Sequence, residues 1–104
     1  MQRIAFKMKL FKGHEAEYKK RHDEIWEELT NLFKQKGLKD FSIFLDEETN
    51  ILFAYLTVED TSGLKDLPNE PVQQKWWAYM KDIMQTNIDN SPVQMVLKEV
   101  FHFE

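Results

Sequence analysis

Phe41-Ser42-Ile43-Phe44-Leu45 and Ile51-Leu52-Phe53-Ala54-Tyr55-Leu56-Thr57-Val58 are two runs rich in β-branched and aromatic residues. Asp46-Glu47-Glu48-Thr49-Asn50 lies between them. That is the pattern of a β-hairpin. Pairing Asp46 with Ile51 makes residue numbers across the hairpin sum to a constant. Phe41, Ile43, Leu45, Leu52, Ala54 and Leu56 then share one face, and Ser42, Phe44, Phe53 and Tyr55 the other. Both faces are substantially apolar, so each needs a cover.

Working outward, the hairpin is preceded by a long helical stripe from about Glu15 to Lys36. Tyr18, His22, Ile25, Leu29, Leu32 and Phe33 follow one another at steps of three and four. Glu15 and Glu17 lie in its first turns and Lys34 and Lys36 in its last, which complements the helix dipole. Gly37 suits the left-handed residue that ends it. Further back, Ile4, Phe6, Met8 and Leu10 alternate with Arg3, Ala5, Lys7 and Lys9, as in a strand with one buried face.

Beyond the hairpin, Glu59 to Gly63 forms a turn and Leu64 to Leu67 a short helical piece. Pro71 opens a second helix, where its missing N–H costs nothing. Val72, Trp76, Tyr79, Met80 and Ile83 mark its stripe to about Met84. Asn87 to Pro92 has loop composition, and Met95 to Phe103 reads as a last strand. The order βαββαβ is the ferredoxin-like α+β arrangement, a single domain over residues 1–104. Right-handed crossovers place both helices on one face of a four-stranded sheet. Phe44, Phe53 and Tyr55 stay uncovered on the other, so a symmetric homodimer with sheets face to face is expected.

Composition narrows the function. The chain has 104 residues, 42% of them hydrophobic, with a net charge of −4 and no cysteine. An acidic balance argues against nucleic-acid and anionic-membrane binding. Thiol chemistry and disulfides are excluded. Only three glycines are present, each isolated, so there is no Gly-rich phosphate loop. His14, His22 and His102 have no metal-ligand spacing. No signal-peptide or membrane-length apolar run appears, which sets a cytoplasmic expectation.

His22 is the candidate catalytic residue. It lies on the apolar side of a helix, one turn after Tyr18 and one before Trp26. A satisfied core histidine has the same pattern, but imidazole is also the side chain best matched to proton transfer near neutral pH. Arg21 and Asp23 fall off the stripe and are expected in solvent. Trp76 and Trp77 are either two large core residues or an aromatic wall for a ligand with an apolar face, such as a sugar ring.

Several segments together resemble one family. Tyr18-x-x-Arg21-His22-x-x-Ile25-Trp26-x-Glu28-Leu29 is similar to the signature helix of L-rhamnose mutarotases. Ile43-x-Leu45-Asp46 with Leu52-Phe53-Ala54, Gln74-x-Trp76-Trp77-x-Tyr79-Met80, Asn87-x-Asp89-Asn90-Ser91-Pro92 and Leu97-x-Glu99-Val100-Phe101 follow in the same order and spacing. The resemblance implies a dimeric α+β barrel that interconverts the anomers of L-rhamnose without cofactor or metal. It implies His22 as proton donor, and Tyr18, Trp76, Trp77 and position 41 as substrate contacts. Where the family has tyrosine at that last position this chain has Phe41, which keeps the ring and lacks the hydroxyl. An alternative function on the same fold is a small-molecule or haem-binding monooxygenase-type barrel, with His22 as ligand. A purely structural dimerisation domain is a third.

Overall fold

Asp46 lies opposite Ile51, Leu45 opposite Leu52, Ile43 opposite Ala54 and Ser42 opposite Tyr55, the register expected from the turn. These pairs come from a computed structural model that describes all of residues 1–104. The hairpin strands are β2 (Leu38–Asp46) and β3 (Ile51–Val58), with β1 (Gln2–Lys9) and β4 (Gln94–Val96) completing the sheet. Every pairing is antiparallel and the strand order is β2-β3-β1-β4, the ferredoxin-like arrangement. β2 starts three residues earlier than its apolar run suggests. A bulge between Lys39 and Ser42 shifts the register there, with Asp40 at φ 54°. The extra residue bends the strand just before Phe41.

Met8, Leu52 and Ala54 share the sheet's inner face, and Leu29, Leu32, Trp76, Met80 and Ile83 close over them as one buried cluster. Leu38, Leu56 and Val58 form a smaller cluster at the other end. On the outer face, register puts Phe44, Phe53, Lys7 and Met95 in one row across the four strands. Phe44 and Met95 are 67% and 60% exposed. Nothing in this chain covers that face.

The first helical stripe is two helices rather than one. α1 spans Glu15–Asp23 and α2 spans Glu27–Gln35. Between them Trp26 is extended (φ −64°, ψ 135°), and its carbonyl accepts from Leu29 and Thr30 to restart the second helix. Neither proline nor glycine marks the break. Packing accompanies it: the Trp26 ring sits edge-on to Trp76 at 5.1 Å and 5.6 Å from Tyr79. Gly37 does end the stripe, at φ 80° with its N–H on the carbonyl of Lys34.

After β3 come α3 (Ser62–Asp66), a short 3-10 turn and α4 (Pro71–Met80), which Pro71 opens. α4 stops before Met84, where its apolar stripe ends. Met84 bridges to Leu10, and Phe11 N–H bonds the carbonyl of Ile83, so the chain leaves the helix to join the end of β1. Ile83 and Met84 stay buried without being helical. The last strand is also shorter than its sequence suggests. β4 holds three residues, and the Leu97 N–H to the carbonyl of Ala5 is the final rung. Val100, Phe101 and Phe103 lie exposed beyond it. Apolar alternation reports a tendency to pair, not a ladder: β1 continues to Gln2 beyond that rung, and Arg3 meets Glu99 there through a side-chain ion pair.

Candidate active site

α1 and α4 bring together four of the aromatic side chains. Tyr18 and His22 are one turn apart on α1, so their rings stack, with centroids 4.3 Å apart and planes 30° from parallel. Trp76 of α4 meets the His22 ring edge-on at 5.4 Å. Trp76 also contacts Tyr79 at 5.6 Å. Trp76 is 6% exposed and Tyr18 8%, so both are packed, whereas His22 is half-buried.

The hydrogen bonding of His22 selects its tautomer. Nδ1 lies 3.0 Å from the carbonyl oxygen of Tyr18, one turn earlier. A carbonyl can only accept, so Nδ1 carries the hydrogen and donates it. In the neutral ring Nε2 then holds a bare lone pair, and no protein group bonds it. Burial lowers the pKa of His22 below its ordinary 6.5, against opposing contributions from the Tyr18 carbonyl and Asp23. The imidazole is therefore mainly neutral at pH 7. Burial pushes the Tyr18 phenol well above its ordinary 10. Tyr18 thus stays protonated and serves as hydrogen-bond donor and acceptor, not as a phenolate base.

Trp77 is half-buried beside Trp76 and packs against the same core from the edge of the stripe. Phe41 is not part of the ring cluster. Its ring lies 5.5 Å from Phe33 of α2, and it is 37% exposed. The Asn87–Pro92 loop uses its polar groups on itself: Asn87 donates to Ser91 and to the carbonyl of Pro92, and Asp89 accepts from Ser91. No three His, Cys, Asp or Glu side chains are grouped to hold a metal ion, and no helix is long and apolar enough to cross a membrane. Two surface hollows of about 220 and 230 Å³ lie elsewhere, against Lys7, Ile51 and Met95 and against Arg3, Tyr55 and Leu97. Their lining comes from β1, β3 and residues between 85 and 99, with none from α1 or α4.

Three residues near the site differ from what the sequence suggests. Tyr79, placed on the apolar stripe of its helix, joins the ring cluster but is 44% exposed. Gln73, one turn before Trp76, is 5% exposed where a polar residue is not expected in the core. Arg21 is not solvated as its place off the stripe suggests; its side chain is 11% exposed and joined to α4. Only a tertiary partner could have revealed that, since the two helices lie far apart in sequence.

Known proteins share this arrangement. The family model described as L-rhamnose mutarotase matches residues 3–103. An L-rhamnose mutarotase of Brucella anthropi is 56% identical, over 97% of this chain and 95% of its own. That of Formosa agariphila is 54% identical over the whole of both chains. The crystal structure titled as the Formosa enzyme superposes with a TM-score of 0.94 at 52% identity over 100% of each chain. A Mycobacterium tuberculosis structure, Rv0793, shares the fold alone, at TM-score 0.62 and 9% identity. A match that runs from β1 through the C-terminal segment, and a superposition this close, leave one assignment: the chain belongs to the L-rhamnose mutarotase family, enzymes that interconvert sugar anomers.

Proposed function

We propose that residues 1–104 act as one mutarotase domain that interconverts the α and β anomers of L-rhamnose, with His22 moving the protons. One observation carries this reading. The ring of His22 is held by its own backbone through Nδ1, while Nε2 is free and basic between Tyr18 and Trp76.

The chemistry follows from the protonation state. Nε2 takes the proton of the anomeric hydroxyl. The electron pair of that O–H forms the C1=O bond, and the bond from C1 to the ring oxygen breaks. The imidazolium gives its proton to the ring oxygen, leaving the open-chain aldehyde and a neutral histidine. Rotation about C1–C2 exposes the other carbonyl face, and the same steps in reverse close the other anomer. Both oxygens hang on C1, so one imidazole serves both, and no net proton is gained or lost. His22 is the donor that the family resemblance implies, but it begins as the base. Tyr18 hydrogen-bonds the sugar through its phenol. Trp76 and Trp77 face the apolar side of the deoxysugar and its 6-methyl group. Phe41 offers a ring on the helix-covered side of the sheet.

Saturation-transfer NMR between the two anomers of L-rhamnose tests the activity. Catalytic amounts of protein should raise the exchange rate well above that in buffer; an unchanged rate refutes the reading. The pH dependence follows from the state of His22. A lowered pKa keeps the base form dominant at pH 7, and acid removes it. kcat/KM is expected to be flat from pH 7 to 8 and to fall on an acid limb whose midpoint lies below 6.5. A midpoint above 6.5 contradicts the lowered pKa, and a profile with no acid limb contradicts the base role.

The oligomer proposed is a homodimer through the outer sheet face. Phe44, Phe53 and Met95 are its apolar surface, and each 100 Å² of such area removed from water contributes about 2.5 kcal/mol. Phe53→Glu places charge in the middle of that row. It should convert the dimer to monomer in sedimentation velocity, and a wild type that sediments as a monomer removes the proposal. Cytoplasmic residence fits a cysteine-free chain that needs no oxidising compartment.

A further inference from the structure

α1 carries His22 but has little apolar attachment of its own. Tyr18 is its only buried residue, and the helix ends one residue after His22. Hydrophobic burial alone leaves such a short helix loosely held. The residue beside His22 supplies what burial does not. Arg21 Nη1 donates to the Tyr79 carbonyl at 2.7 Å and to Asp82 at 2.9 Å, and Nη2 donates to the second Asp82 oxygen at 3.2 Å. Nε donates to Glu17 at 2.7 Å, one turn back on α1. The guanidinium carbon also lies 4.4 Å from the centroid of the Tyr79 ring.

One guanidinium therefore joins the last turn of α1 to the last turn of α4. On the α4 side it caps a terminal carbonyl at the negative end of the helix dipole. The planar fork fixes angle as well as distance, which a lysine ammonium does not. Tyr79, gripped at both carbonyl and ring, is in contact with Trp26 and Trp76. The latch thus spans the helix that bears the imidazole and the helix that bears the indole against it.

We propose that Arg21 is a positioning residue for anomer exchange: by latching α1 to the end of α4 through Glu17, Tyr79 and Asp82, it holds the His22 ring against Trp76. The inference rests on the reading of His22 as the proton carrier. A displacement of about 1 Å at a reacting group can cost on the order of 10²-fold in rate. Loosening this latch allows a shift of that size without touching the sugar.

The test compares Arg21→Gln, Arg21→Lys, Asp82→Asn and His22→Ala by anomer exchange, with the titration of His22 followed by NMR. Arg21→Gln is expected to lower kcat about tenfold or more, with a smaller change in KM. The midpoint of His22 should move up toward 6.5 as the ring gains solvent. Arg21→Lys should recover part of the rate, and Asp82→Asn should lose a few-fold. A folded Arg21→Gln protein with wild-type kcat and an unmoved His22 titration overturns the proposal. If that variant does not fold, Asp82→Asn decides: a wild-type rate and titration overturn it. Loss in His22→Ala without loss in the latch variants refutes the latch alone. No loss in His22→Ala refutes the reading beneath it.

Discussion

His22→Ala is expected to slow anomer exchange of L-rhamnose by about 10²–10⁴-fold, the range that a positioned proton carrier supplies. On the proposed mechanism, alanine removes both the base that starts ring opening and the acid that completes it. Tyr18 cannot take over the base step, because burial keeps its phenol protonated. The fold should survive. His22 is half-buried and lies outside the sealed cluster of Leu29, Leu52, Met80 and Ile83. Its ring contacts with Tyr18 and Trp76 are worth about 0.5–1.5 kcal/mol each. Circular dichroism should show a wild-type spectrum with a modestly lower melting temperature. Wild-type exchange by a folded variant would mean that the proton travels by another route.

Trp76→Ala has the largest expected effect on stability. The indole is 6% exposed and packs in the main cluster, with edge contacts to His22 and Trp26. Removing a buried tryptophan costs about 3–5 kcal/mol. A domain of this kind is stable by only about 5–15 kcal/mol. The urea midpoint should therefore fall steeply while the slope of the transition is kept. Exchange activity should fall too, because the wall against the His22 ring is lost. Trp77→Ala is the informative companion. Its ring is half-buried at the edge of the stripe, so it should lose less stability and show its effect chiefly in KM. A Trp76→Ala protein with an unchanged midpoint would show that the core does not depend on that ring.

The hairpin was legible because its period of two, its turn and its register are local. So was the Tyr18–His22 pair, since one turn of helix separates the two residues. The break at Trp26 was not, because no residue there forbids helix; only the distant rings of Trp76 and Tyr79 accompany it. The bulge between Lys39 and Ser42 was not legible either, because side-chain alternation does not report a backbone irregularity. β4 stops early although β1 continues to Gln2, so the strand-like alternation of residues 97–104 marks a tendency that does not become a ladder. Arg21 fell off the apolar stripe and read as solvated, when its partners were carboxylates and a carbonyl on other turns. Long-range polar pairing leaves no periodic trace along a single chain.

The state of one imidazole can be read directly. In ¹⁵N-labelled protein at pH 7, His22 should show a protonated Nδ1 and a pyridine-like Nε2, and L-rhamnose should shift the Nε2 signal. A hydrogen on Nε2 at pH 7 with Nδ1 bare, or an Nε2 signal indifferent to saturating sugar, would contradict the account.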